Sequence, residues 1–130
     1  MTVFLDTNAL LRAAYAPGKL TAKAEEAFFE TDRVLVSVVS LWEIGLKLSR
    51  GGFHGLKVSD DWDACLVAWM TEQRIETIGI EVADCRKIQV LPFHHKDPFD
   101  RMMIAQCLRL DCDAISSDDK FDLYGIRRVW

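Results

Sequence analysis

Val3-Phe4-Leu5-Asp6-Thr7-Asn8 carries three apolar residues straight into an acid and two polar residues. The run reads as a buried strand that ends in a carboxylate. In an open α/β sheet, ligands bind outside the carboxyl ends of the strands, so Asp6 stands where chemistry is usually done. Four later stretches read as strands as well: Val34-Leu35-Val36, Ile75 to Ile80, Ala114-Ile115-Ser116 and Arg127 to Trp130. Helical periodicity lies between most of them. Strands alternating with helices imply βαβ units, hence an α/β fold with a mainly parallel sheet of about five strands, covered on both faces.

The helices follow from their caps and stripes. Thr7 or Asn8 caps a short helix through Leu10 and Leu11, and Pro17-Gly18 closes it. Thr21 opens a second, with Ala24, Ala27 and Phe28 on one face and Glu25, Glu26 and Glu30 on the other. A third runs from about Ser37 to Arg50 and stops at Gly51-Gly52. Ser59 or Asp60 caps the next, whose stripe of Trp62, Cys65, Leu66, Trp69 and Met70 suits the core or a subunit interface. A short helix covers Glu81 to Gln89. The last begins at Asp97-Pro98, with Asp97 at the N-cap and Pro98 at the first helical position, and runs to about Leu110 with Met103, Ile104 and Cys107 as its apolar stripe.

Composition bounds the function. At 130 residues the chain is read as a single domain, residues 1–130, with half its residues apolar. The net charge of −4 argues against a broad basic surface for nucleic acid, so metal ions or a local basic patch must offset the acids if RNA or DNA is bound. Cys65, Cys85, Cys107 and Cys112 contain no Cys-x-x-Cys pair and read as buried free thiols, which suits a reducing cytoplasm. No stretch approaches the ~20 apolar residues of a membrane span.

Four of the 20 acids stand in unexpected places. Asp6 and Asp118 end strands, while Glu43 and Asp100 lie on apolar helix stripes. Each has an ordinary explanation. Asp6 fits an N-cap, Glu43 pairs with Lys47 one turn on, Asp100 completes a capping box at the third helical position, and Asp118 caps the turn before Phe121. Together they carry more weight, because all four fall where a doubly wound sheet could converge them on one edge. Two carboxylates about 4 Å apart repel by roughly 4 kcal/mol at an effective dielectric of 20, so such a cluster holds extra protons or binds cations. Oxygen ligands without paired His or Cys suit Mg²⁺ or Mn²⁺. These ions activate water and stabilise the leaving oxygen at a phosphodiester.

Around this core, Ser116, Thr7 and Asn8 are placed to orient an acid or to serve as ordinary strand and cap residues. Arg12, Lys96, Arg101 and Lys120 fit either phosphate contacts or a solvated surface. His94 and His95 read as an exposed loop pair, Asp97 as a cap and Asp119 as a surface residue.

Leu5-Asp6-Thr7-Asn8, Leu41-Trp42-Glu43-Ile44, His94 through Arg101 with Ile104-Ala105-Gln106, and Ser116 through Phe121 together resemble the PIN-domain family, and more narrowly its VapC-type toxins. The likeness covers nearly the whole chain in the expected order. It implies a PIN-like three-layer fold and a Mg²⁺- or Mn²⁺-dependent endoribonuclease that is often homodimeric. It also implies a small antitoxin whose tail covers the cleft. The metal-binding acids carry over onto Asp6, Glu43, Asp100 and Asp118, the same four that the pattern isolates. Asn8 stands where a His is common in this subgroup, and the Asp118-Asp119 pair leaves a choice of register that the spacing to Phe121 resolves toward Asp118, with Asp119 as the substitute. The rival expectations are a catalytically idle PIN-like module that binds RNA or protein, and a receiver-type signalling domain. A receiver wants an acidic pair at the first strand end and an Asp at a central one; this chain has one acid at the first, and Val34-Leu35-Val36 ends in Ser37.

Overall fold

Val3 and Leu5 point to one side of the first strand and Phe4 to the other, and all three are fully buried. Only a strand covered on both faces allows that. The computed structural model describes residues 1–130. Its centre is β1 (Thr2–Leu5), flanked by β2 (Arg33–Ser37), β3 (Glu76–Ile78), β4 (Asp113–Ile115) and β5 (Arg128–Val129). All five strands are parallel, in the order β3-β2-β1-β4-β5. Six helices accompany them: α1 (Thr7–Tyr15), α2 (Ala22–Glu30), α3 (Val38–Ser49), α4 (Trp62–Glu72), α5 (Val82–Val90) and α6 (Pro98–Leu110).

The helices form the two outer layers. Val3, Leu5, Val36 and Ile115 meet Leu10 of α1, Phe28 of α2, Ile44 of α3 and Leu66 and Met70 of α4 on one face. Phe4, Leu35 and Ala114 meet Val39 of α3, Met103, Ile104 and Cys107 of α6, and Phe121 on the other. The central strands β1 and β2 thus carry continuous apolar runs, as expected of a parallel sheet buried on both sides, while the edge strands β3 and β5 are more polar and less buried.

Topology sets the location of the site. The chain steps from β1 to β2 to β3 on one side, then returns to place β4 on the other side of β1. Strand order therefore reverses between β1 and β4, which is where open α/β sheets bind ligands. Leu5 pairs with Ile115 in register, so Asp6 and Ser116 leave the sheet side by side.

Several local expectations change. Asp6, not Thr7 or Asn8, caps α1: its Oδ1 accepts the Ala9 N–H at 2.8 Å, because the helix starts directly after the strand. The N-cap position of α4 is Asp61, with no side-chain cap bond, rather than Ser59 or Asp60. That helix fully buries only Leu66 and Met70, a narrower stripe than its sequence suggests, and Cys65 falls outside it. Cys85 is exposed too, since the only buried residue of α5 is Asp84; Cys107 and Cys112 are the two buried thiols. No helix is long and apolar enough to cross a membrane.

The two-faced burial predicts that Phe4→Ala destabilises the fold by about 3–5 kcal/mol, whereas Val82→Ala, at an exposed position on α5, stays within about 0.5 kcal/mol. Urea denaturation of the two variants checks this, and similar midpoints for both contradict it.

Candidate metal centre

The four acids come from four different places in the chain. Asp6 follows β1 and Asp118 follows β4, Glu43 sits in the middle of α3, and Asp100 lies in the first turn of α6. Asp6 uses Oδ1 for the cap of α1, while its Oδ2 accepts the Ser116 hydroxyl. Ser116 Oγ in turn accepts the Asp118 N–H at 3.0 Å. One serine thus ties the carboxylate after β1 to the backbone after β4. Asp118 divides its oxygens in the same way: Oδ1 accepts the Lys120 N–H at 3.0 Å, and Oδ2 lies 2.6 Å from His95 Nε2. The local explanations for Asp6 and Asp118 as caps hold, and each cap leaves the second oxygen for the cleft.

Glu43 also keeps its local partner, with Lys47 Nζ 3.3 Å from Oε2. The pair does not make it a surface residue: Glu43 is 5 % exposed, and its Oε1 is buried with no hydrogen-bond partner. Asp100 does not complete the expected capping box. The Asp97 carboxylate accepts the Asp100 N–H at 3.0 Å, but the reciprocal donor, the Asp97 N–H, goes to His95 Nδ1. The Asp100 carboxylate is thereby released from backbone duty, and its Oδ2 lies 3.2 Å from His95 Nε2.

Ligand atoms of His95, Asp100 and Asp118 lie within 4.8 Å of one another, and Asp6 and Glu43 are near enough for their charges to act on Asp100. Burial pushes the Asp6 carboxyl up to about 6, against the lowering effect of the Ser116 and Ala9 hydrogen bonds, and the charges of Asp118 and Glu43 add to the rise. Asp100 is pushed up to about 8, first by burial and then by the charges of Asp97, Glu43, Asp6 and Asp118. A cation is the natural relief. The donor set is almost entirely carboxylate oxygen, which suits a hard divalent ion. The orphaned Glu43 Oε1 has the buried, unsatisfied lone pairs that such an ion would use.

A family model described as the PIN domain matches residues 3–126. The chain belongs to the PIN-domain family. Three solved structures share the fold of this PIN domain at low identity. A VapBC2 complex from Rickettsia felis, bound to a DNA fragment from its promoter, has a TM-score of 0.69 at 13 % identity over 100 % of both chains. DNA-bound VapBC from Salmonella typhimurium gives 0.67 at 17 % identity, covering 98 % of this chain and 96 % of the other. FitAcB from Neisseria gonorrhoeae gives 0.60 at 13 % identity, covering 97 % and 95 %. A comparison with curated proteins finds no match.

The remaining expected residues of this PIN domain divide. Ser116 reaches the cluster, whereas Thr7 does not: it is buried, and its hydroxyl donates to Ser40 Oγ at 3.0 Å in the core beside Met103. Asn8 is exposed and, with Arg12, Lys19 and His54, lines a cavity of about 170 Å³. The Arg12 guanidinium lies 5.0 Å from the centre of the Trp130 ring. Lys96, Asp119 and Lys120 are exposed. Asp119 opens a 3₁₀ turn (Asp119–Tyr124) capped by Asp118, and Asp118 is the member of the pair that lies beside His95 and Asp100.

Arg101 and His95 correct the sequence expectations most. Arg101 is 5 % exposed, and its guanidinium donates to the carbonyls of Leu91, Pro92 and His95 at 3.0, 2.8 and 3.1 Å. It pins the loop before α6 and is not free to meet a phosphate. His95 is buried by that loop rather than exposed with His94. A signal for Arg101 existed, since it stands one turn before Ile104 and Ala105 on the packed side of α6. No local pattern marked His95, because its burial depends on Arg101 and on Tyr124, 29 residues later.

The raised carboxyls give a pH dependence of stability. Folded, the protein keeps protons on Asp6 and Asp100 that the unfolded chain releases near 3.8. Where the native state binds more protons, stability falls as pH rises. The melting temperature of chelator-treated protein is therefore expected to fall between about pH 5 and pH 8, and Asp100→Asn to flatten the upper part of that fall. A profile that rises through this window contradicts the cluster.

Proposed function

We propose that this PIN domain is a metal-dependent endoribonuclease, the toxin of a VapC-type toxin–antitoxin pair, which cleaves RNA phosphodiesters by attack of water. The observation that carries the proposal is the carboxylate cluster at the β1/β4 switch point, whose raised protonation and orphaned Glu43 Oε1 call for a cation. The fold shared with the VapBC and FitAcB structures supports the toxin assignment.

Asp6, Glu43, Asp100 and Asp118 would hold Mg²⁺ or Mn²⁺. Such an ion, when bound, supplies water activation and charge stabilisation at the phosphodiester. The chain's own residues prepare that chemistry. Ser116 fixes the Asp6 carboxylate, so its approach to the ion costs little reorganisation. Lys47 neutralises one oxygen of Glu43 and leaves the other open. Lys96 and Lys120, both exposed, and Arg12, half-buried beside Trp130, are the candidates for contacts with RNA phosphates. This division would let a protein of net charge −4 accept a polyanion: the four carboxylates would hold a cation that offsets their charge at the reacting centre, and a few local bases would hold the strand. The active unit spans residues 1–130 as one domain. Its partners are a second copy and a small antitoxin whose tail covers the cleft, in a cytoplasm reducing enough to keep the exposed Cys65 and Cys85 as thiols.

Cleavage of an RNA panel with Mg²⁺ or Mn²⁺ tests this. Wild type is expected to cut, with Asp6→Asn and Asp100→Asn slowed by about a hundredfold or more, the equivalent of ~2.7 kcal/mol of lost transition-state stabilisation. Equal cleavage by wild type and variants removes the catalytic assignment. RNA binding without cleavage under either ion supports a catalytically idle PIN module instead.

A further inference from the structure

The loop ahead of α6 brings one side chain to the cluster that adds no carboxylate. His95 is 6 % exposed and held at three points. Its N–H donates to Tyr124 Oη at 2.8 Å, its carbonyl accepts from Arg101 Nη1 at 3.1 Å, and its Nδ1 accepts the Asp97 N–H at 3.2 Å. Tyr124 Oη in turn donates to the Pro92 carbonyl at 2.7 Å, closing the brace. Nε2 is thereby aimed at Asp118 Oδ2 and Asp100 Oδ2, and ligand atoms of the three residues lie within 4.8 Å of one another.

Two roles fit that constellation: a third ligand to a cation, or a donor that orients a carboxylate. The hydrogen bonds decide between them. A backbone N–H is always a donor, so Nδ1 must present its lone pair to Asp97, and the ring proton then resides on Nε2. A nitrogen that carries its proton has no lone pair for a metal ion. Ligation through Nε2 would require the proton on Nδ1, facing the Asp97 N–H donor to donor.

We infer that His95 is a positioning residue of the candidate metal centre: its Nε2–H donates to Asp118 Oδ2 and fixes that carboxylate, while its Nδ1 takes the N–H that Asp100 would otherwise accept. Both functions prepare acids for a cation without touching it. With Oδ1 on the Lys120 N–H and Oδ2 on His95, the plane of Asp118 is set, and each oxygen keeps a lone pair free. The inference rests on the metal-dependent function proposed above.

Mn²⁺ binding to the full chain, measured calorimetrically for wild type, His95→Ala and His95→Gln, tests the inference. Loss of a hydrogen-bond partner behind a metal ligand weakens affinity by about 10–100-fold, the loss expected for His95→Ala. His95→Gln, whose amide restores an N–H toward Asp118, should recover most of it. Electron spin echo spectra of Mn²⁺-loaded wild type should show no coupling to a directly bound imidazole nitrogen. Long-range ¹H–¹⁵N spectra of the metal-free protein should place the His95 proton on Nε2. Unchanged affinity in His95→Ala, a direct imidazole coupling, or a proton on Nδ1 each overturns the inference and leaves the proposed function standing. If wild type binds no Mn²⁺, the proposed function fails and takes this inference with it. Should His95→Ala fail to fold, the two spectroscopic measurements on wild type decide.

Discussion

Like charge confined to one sheet edge is the constraint on which the site depends. A doubly wound parallel sheet carries the ends of β1 and β4 to the same place, and this chain puts an acid after each of them. Helices α3 and α6 then bring Glu43 and Asp100 to the same field. Two ionised carboxylates about 4 Å apart repel by roughly 4 kcal/mol at an effective dielectric of 20. The chain answers locally, with Ser116 and a helix N-terminus on Asp6, Lys47 on Glu43, the Lys120 N–H and His95 on Asp118, and bound protons on the most strained acids. The protons and Lys47 offset part of the charge, and only by occupying single oxygens. Together these groups hold the carboxylates in place while leaving Glu43 Oε1 open, an arrangement suited to a cation and hard to justify by stability alone.

A second constraint supports the first. The loop between α5 and α6 must place His95 within hydrogen-bond distance of the acids, yet a loop has no ladder to hold it. Arg101 supplies the substitute by gathering the Leu91, Pro92 and His95 carbonyls around one buried guanidinium, with Phe93 packed 4.0 Å across its face. Hydrogen bonds from a charged donor are worth roughly 1.5–3 kcal/mol each, which is enough to order a short segment. The stretch from His94 to Arg101 thus acts as one device: the arginine shapes the loop, the loop presents the histidine, and the histidine frees and orients the acids. The exposed Trp42, packed edge-on against Phe99 at 4.8 Å, marks where this device meets solvent.

Sequence alone revealed much of this and failed where long-range packing decides. The central strands were legible because buried parallel strands are apolar runs, and the helix starts at Thr21, Ser37 and Asp97 were legible because capping is local. The four acids stood out because each breaks a pattern that its neighbours keep. Arg101 read as a phosphate contact or a solvated surface residue because a charge is normally solvated, and nothing nearby in sequence announces the ring of carbonyls that receives it. His95 looked exposed for the same reason. Helical spacing puts Cys65 on a stripe suited to the core or a subunit interface, but α4 packs into the core through a narrower face than its composition suggests. Local rules thus read the scaffold and the anomalies, whereas the groups that orient the site are set by contacts between residues distant in sequence.

Asp6, Glu43, Asp100 and Asp118 are proposed as the ligands of one cation. Anomalous diffraction from crystals soaked in Mn²⁺ tests this assignment most directly. A strong peak ligated by these four carboxylates is expected, with Glu43 Oε1 among the ligands and His95 outside the coordination sphere. A peak elsewhere on the molecule, or none between these carboxylates at saturating Mn²⁺, would contradict it.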